Sequence, residues 1–203
     1  MINIRLFQLA DLDALYAISL VTGFAGGDAS RLYDDPKLMG YIYSAPYALL
    51  EPELALVVED REGVAGFAVG AIDTHAWERK LERDWWPPLR LHYALPPEDD
   101  RVSWTADQRR AFMIHRPAPT PSVVAAKYPA HLHLNLLPRL QGRGVGTKLL
   151  GDWLAIATRH GDRAVHVAVN RANASAIAFW KKRDFAELGD GLAGGGTLWM
   201  GRD

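Results

Sequence analysis

Ala130-His131-Leu132-His133-Leu134-Asn135-Leu136-Leu137-Pro138, then Arg139-Leu140-Gln141-Gly142-Arg143-Gly144-Val145-Gly146-Thr147, is the stretch that decides the fold. Leu132, Leu134 and Leu136 alternate with His133 and Asn135, which is the period of a strand with two unlike faces. A glycine-rich turn follows. From Thr147 the period changes, and Leu149, Leu150, Trp153, Leu154 and Ala157 form one helical stripe. Gly161 stands where such a helix ends, at C′. The unit is strand, glycine-rich turn, helix.

The first turn of a helix leaves backbone N–H groups without partners, and glycines leave them uncovered, so a phosphate can approach. Arg143 adds a positive charge nearby. The same glycines can equally serve only tight packing, and both readings stand at this point. Two familiar phosphate loops fit less well. A P-loop needs lysine directly after its last glycine, but here Thr147 separates Gly146 from Lys148. A dinucleotide fingerprint needs a third glycine where Thr147 stands, and its early βαβ setting is missing.

Composition narrows the function classes. The 203 residues are enough for one core and one large insertion. A net charge of -1 gives no overall pull toward nucleic acid or anionic lipid, so neither is expected as a partner. No stretch is apolar for long enough to span a bilayer, and Met1 to Arg5 has no signal-peptide pattern. The absence of cysteine removes disulfides, a thiolate nucleophile and thiolate metal ligands, and it fits a cytoplasmic protein. His131 and His133 share a strand face, but two ligands are too few for a metal site, so no metal is expected.

Outward from the central unit, Asn3 to Gln8 reads as a strand and Ala10-Asp11-Leu12-Asp13 as a helix start. Gly26 to Ser30 is a loop that either holds a substrate or only connects. Asp35-Pro36 opens a second helix, with proline at its first position. Tyr33, Tyr41, Tyr43 and Tyr47 cluster here, either toward a cleft or as core edges. Leu54 to Glu59 and Val64 to Asp73 form a hairpin across Asp60-Arg61-Glu62-Gly63. Gly66, Gly70 and Ala71 indicate close approach of another element.

Residues 74 to 128 leave this pattern and read as a helical insertion between the third and fourth strands. Ala76 to Trp86 is helical, with Pro87-Pro88 as its stop. Thr105 caps a helix to about His115, and Ser122 to Lys127 adds a helical turn. Beyond the central unit, Arg163 to Val169 is a strand, Asn173 caps a helix, and Phe185 to Leu188 is a strand. Gly189 to Gly196 is a glycine-rich turn before the closing strand at Thr197 to Met200. Lys181-Lys182-Arg183 reads as solvated helix surface. The predicted fold class is α/β (α+β): a mixed, twisted sheet of about seven strands, helices on both faces, and one domain over 1–203.

Gln141-x-x-Gly144-x-Gly146 resembles the acyl-CoA pyrophosphate motif, Q/R-x-x-G-x-G/A, of the GNAT superfamily of N-acetyltransferases. Asn173-Ala174-Ser175-Ala176 through Phe179-Trp180 to Phe185 resembles its second signature. Over nearly the whole chain, Asp34-Asp35-Pro36, Ala45 to Leu50, Trp85-Trp86-Pro87-Pro88 and Pro129 to Leu137 are similar to bacterial acetyltransferase-like proteins related to the C-terminal domain of O-GlcNAcase.

The resemblance implies acetyl-CoA as cosubstrate. Its pyrophosphate would rest on Gln141, Gly142, Arg143, Gly144, Val145, Gly146 and Thr147. Its pantetheine arm would lie where the fourth and fifth strands part, against backbone near Asn135, Leu136 and Leu137, with Asn173, Phe179 and Trp180 alongside. It further implies direct transfer of the acetyl group to a primary amine, whose identity the sequence does not encode.

The chain departs from the family pattern at three points. Asn135 stands where a carboxylate is usual and cannot take a proton, which leaves His133, or His131, as the candidate base. Trp180 replaces the usual tyrosine, and Asp184 the glycine before Phe185. The competing functions are a CoA-binding module without turnover and nucleotide binding of another kind.

Overall fold

The two-residue alternation sorts the strand side chains into two sets, and different helices bury each set. The computed structural model describes residues 2–161, 164–189 and 195–203. Among the described residues, seven strands form one mixed sheet in the order β1-β2-β3-β4-β5-β7-β6. They are β1 (Asn3–Leu6), β2 (Ala55–Asp60), β3 (Gly63–Ala71), β4 (Ala130–Leu136), β5 (Val165–Asn170), β6 (Ala186–Glu187) and β7 (Thr197–Arg202). The α-helices are α1 (Leu12–Val21), α2 (Leu38–Tyr43), α3 (Ala45–Leu50), α4 (Thr74–Lys80), α5 (Trp86–His92), α6 (Ala106–His115), α7 (Ser122–Lys127), α8 (Val145–Arg159) and α9 (Ala174–Lys181).

On one face, Leu56, Val58, Ala68, Leu132 and Leu136 pack with Leu149, Leu150 and Trp153 of α8 and Trp180 of α9. On the other, Ala55, Val57, Phe67 and Val69 pack with Leu15 and Ile18 of α1, Ile42 of α2, Tyr47 of α3 and Ile114 of α6. His133 and Asn135 stand opposite Val69 and Phe67 in the β3–β4 register, so their side chains share this second face.

Pairing between β4 and β5 is parallel and brief. Ala130 faces Val165 and His131 faces His166, and then the strands part although both run on. The amphipathic stripe of α8 covers the first face at the gap, and Trp153, fully buried, donates its indole N–H to the Leu54 carbonyl at 2.9 Å.

The insertion between β3 and β4 contains α4 to α7, and its ends are tied together where Thr74 N donates to Pro129 O at 2.8 Å. Pro87-Pro88 does not stop the chain's helical course. One π-helical turn, Leu81–Trp85, leads directly into α5, with the prolines in its first turn. There the missing N–H groups are ones that a helix start leaves unbonded anyway.

A second difference lies at Asp35-Pro36. The helix begins only at Leu38, because the Asp35 carboxylate accepts Lys37 N at 2.8 Å and holds a turn. The helix also breaks at Ser44, before Pro46, giving α3 as a separate element. Arg163 and most of the turn expected from Gly189 to Gly196 lie outside the described residues.

Gly70 fulfils the expectation of close approach. A Cβ there would meet Trp153 Cζ2 at 2.5 Å, with the His131 carbonyl oxygen closer still. Gly70→Ala is expected to lower stability by about 1–3 kcal/mol through overpacking. Urea unfolding checks this as a lower midpoint with an unchanged slope.

Candidate functional site

The site is built where β4 and β5 part. In an antiparallel ladder, successive residues point their backbone groups alternately toward and away from the partner. Leu137 N donates to Ala65 O at 2.8 Å, and Ala130 N donates to Ala164 O at 3.2 Å on the opposite side. The backbone groups of Leu134 and Leu136 therefore face the gap. Gln141 Nε2 reaches back from the turn to the Leu136 carbonyl at 2.8 Å and fixes the turn against the strand end.

Gly142 (φ 70°) and Gly144 (φ 77°) both adopt left-handed backbone, which glycine enters at no steric cost. Thr147 and Lys148 both donate to Gly144 O at 3.1 Å. Among the described residues, the N–H groups of Val145 and Gly146 have no backbone partner. Gly146 packs so closely that a Cβ would lie 2.9 Å from Phe179 Cε2.

A cavity of about 590 Å³ opens at this junction. Leu134, Asn135, Leu136, Gln141, Gly142, Gly144, Gly146, Thr147, Asn173, Phe179 and Trp180 line it. Of the expected residues, Leu137, Arg143 and Val145 do not, and neither does either candidate base, His131 or His133, whose side chains lie on the other face of β4. Arg143 is exposed and donates to the Arg139 carbonyl at 3.3 Å. Val145 is buried in the α8 core, and the N–H of Leu137 is committed to β3.

The sequence reading missed Arg183, which lines the cavity rather than standing in solvent. It donates to the Phe179 carbonyl at 2.7 Å and to the Thr147 hydroxyl, and its guanidinium lies 3.7 Å from the Phe179 ring centre. No carboxylate pairs with it among the described residues. Asp184, at φ 65°, makes the left-handed turn that lets Phe185 N return to the Trp180 carbonyl at 3.2 Å. Thr22 and Gly26 also line the cavity, so the loop after α1 belongs to the site.

At the inner end of the gap the histidines form a chain. Thr74 Oγ1 donates to the Pro129 carbonyl at 2.8 Å and so accepts from His131 Nδ1 at 2.8 Å. His131 Nε2 then accepts from the Tyr47 hydroxyl at 2.9 Å, and Tyr47 accepts from His133 Nε2 at 3.3 Å. This donor accounting leaves His133 Nδ1 with the free lone pair. Burial, helped by the charge His166 would carry, pushes His133 down to about 4. Burial also lowers His131 well below the usual imidazole range, and His166, whose Nδ1–H donates to the Tyr128 carbonyl at 2.6 Å. All three are neutral at pH 7.

Asn135 Nδ2 donates to Thr22 Oγ1 at 2.6 Å, which anchors it to the end of α1. The tyrosine cluster divides. Tyr43 lies edge-on to His133 at 5.7 Å between ring centres, Tyr47 bridges both histidines, and Tyr41 packs among Tyr16, Trp85 and Tyr93. Trp180 is buried between the rings of Phe179 and Phe185.

A family model described as the acetyltransferase (GNAT) family matches residues 27–185. The chain belongs to that family. It is 33% identical to a solved structure titled SsHAT, with a TM-score of 0.88 and coverage of 99% of this chain and 97% of the other. Rat and mouse (Rattus norvegicus, Mus musculus) protein O-GlcNAcase are 21% identical over 167 residues, which is 78% of this chain but only 18% of theirs. The PaiA N-acetyltransferase of Thermoplasma acidophilum, solved with coenzyme A, shares the fold at 16% identity. Its TM-score is 0.55, with 100% of this chain and 98% of that one covered.

Among the described residues, no cluster of His, Asp and Glu is arranged to hold a metal ion, and no helix is long and apolar enough to cross a membrane.

The buried histidines predict a pH response. Their folded pKa values lie below the unfolded value of 6.5, so between pH 6.5 and about 4 the unfolded chain binds more protons. Stability is then full above 6.5 and falls as pH drops through that window. The loss for His133 across the whole window is about 3 kcal/mol. Urea midpoints at pH 7 and pH 5 are expected to differ less in His133→Gln than in the parent; equal differences would contradict the assignment.

Proposed function

We propose that this protein transfers an acetyl group from acetyl-CoA directly to a primary amine. The observation that carries the reading is the opened β4–β5 gap, with free backbone groups at one end and an uncovered helix start at the other. Acetyl-CoA supplies an activated thioester carbonyl when bound, and the residues present suit its parts. The N–H group of Gly146, with Arg183 beside it, suits a pyrophosphate. Leu134 and Leu136 offer strand-like pairing to an amide-bearing arm. The Leu136 N–H is the donor for a developing oxyanion, since Leu137 N already bonds to Ala65.

His133 Nδ1 takes the proton that the amine loses as its nitrogen bonds to the carbonyl carbon and the carbon–sulfur bond breaks. A base this weak does not keep the proton, which passes through solvent in the cleft to the departing CoA thiolate and leaves it as the thiol. Asn135 orients the acceptor from its Thr22 anchor, and the Trp180 indole can solvate but not protonate the thiolate. Those two residues favour the second reading, a CoA-binding protein without turnover.

Thr147→Glu separates binding from folding. Position 147 is exposed in the first turn of α8, where a carboxylate suits the helix dipole. The melting temperature is expected to hold or rise, while affinity for acetyl-CoA in a calorimeter falls tenfold or more, about 1.4 kcal/mol. A folded parent that binds no acetyl-CoA ends the proposal. Acetyl-CoA binding without turnover over an amine panel selects the second reading. With a reactive amine, His133→Gln is expected to cut kcat by about a hundredfold or more, with acetyl-CoA affinity retained.

A further inference from the structure

Beside His133, across one tyrosine ring, stands a cation without a counterion. Arg110 lies on α6, half-buried, with its guanidinium carbon 5.4 Å from the Tyr43 ring centre, and Tyr43 in turn lies edge-on to His133. Its Nε–H donates to the Tyr33 hydroxyl at 3.0 Å, and one Nη1–H meets the Met113 thioether, a poor acceptor, at 3.0 Å. The other three N–H groups have no partner among the described residues, and no carboxylate pairs with the group. Asp107, one turn earlier on α6, is engaged elsewhere: its oxygens accept from Asp34 N at 3.1 Å and Asp35 N at 3.2 Å.

A partly desolvated guanidinium with unfilled donors is costly to keep unless something completes it. The fork of an arginine matches a planar carboxylate in a two-bond pair, and one uncompensated positive charge matches one negative charge. We propose that the acceptor is a primary amine that also carries a carboxylate, and that Arg110 receives that carboxylate while the amine lies at His133. This rests on the transferase reading above and names the substrate class for the same site. The insertion then does more than cover the sheet: α6 brings to the His133 side of β4 the charge that selects the acceptor.

The test uses matched probes that differ only in the anion: β-alanine, 4-aminobutyrate and 5-aminovalerate, each beside its neutral amide. Rates are measured with acetyl-CoA, and binding of the same probes is measured by calorimetry on protein saturated with CoA. At least one acid is expected to exceed its amide tenfold or more in kcat/KM, mainly through KM, and to bind measurably where the amide does not. Arg110→Gln is expected to bring that ratio near one, and Arg110→Lys to restore part of it. Acetyl-CoA binding to the variant, measured separately, shows that the cofactor site survives.

Equal behaviour of acids and amides in the parent overturns the proposal. So does an Arg110→Gln variant that weakens acid and amide alike, as a purely structural arginine would. If acetyl-CoA binds but no probe is acetylated, acid binding that Arg110→Gln abolishes supports the anion site and counts against turnover alone. If acetyl-CoA itself fails to bind, the transferase reading fails, and this proposal fails with it.

Discussion

After two paired residues β5 withdraws from β4, and the rest of the molecule answers that withdrawal. A strand in mid-sheet with one open side carries backbone donors and acceptors that are costly to bury unpaired. Here the open length is short, running from Leu132 to Leu136, and it is not closed by another strand. Gln141 caps the Leu136 carbonyl, α8 and α9 wall the sides, and the remaining groups face a cavity. The sheet is held on both sides of the gap by long antiparallel ladders, β2–β3–β4 and β5–β7, so the opening is rigid rather than frayed.

β4 itself is two-sided in its chemistry. Its even-numbered residues place apolar side chains under α8 and backbone groups in the gap. Its odd-numbered residues place His131, His133 and Asn135 under α1 to α3. The histidine chain is expensive in the sense that its members are held neutral by burial. What the fold gains is direction: the bond to the Pro129 carbonyl fixes each proton along Thr74, His131, Tyr47 and His133, so one nitrogen is presented as an acceptor.

Much of this is legible in the sequence because it rests on local periodicity. The strand–turn–helix of 130–161, the β2–β3 hairpin and the insertion all follow from apolar spacing and turn residues, and the motif points to Gln141, Gly142, Gly144, Gly146 and Thr147 in the cavity wall. What is not legible depends on distant partners. Nothing local shows that Tyr47 bridges two histidines more than eighty residues away. Arg183 looks like part of a basic surface run until α9 packs on Gly146 and brings it to the turn. Pro87-Pro88 looks like a stop because the local rule forbids proline inside a helix, and a π-helical turn just before it changes which position the prolines occupy.

The joint at Thr74 and Pro129 bears on how such a protein can diversify. More than fifty residues leave the sheet and return to it across one backbone hydrogen bond. The entropic cost of closing a loop grows only slowly with its length, so the exposed connections of an excursion pinned at its base can be lengthened or shortened without disturbing the ladders beneath it. The same Thr74 side chain orients His131. The excursion is therefore constrained at two places: where Trp77 and Ile114 enter the core beneath it, and at its root, where a change of sequence would be felt by the imidazoles as well as by the sheet.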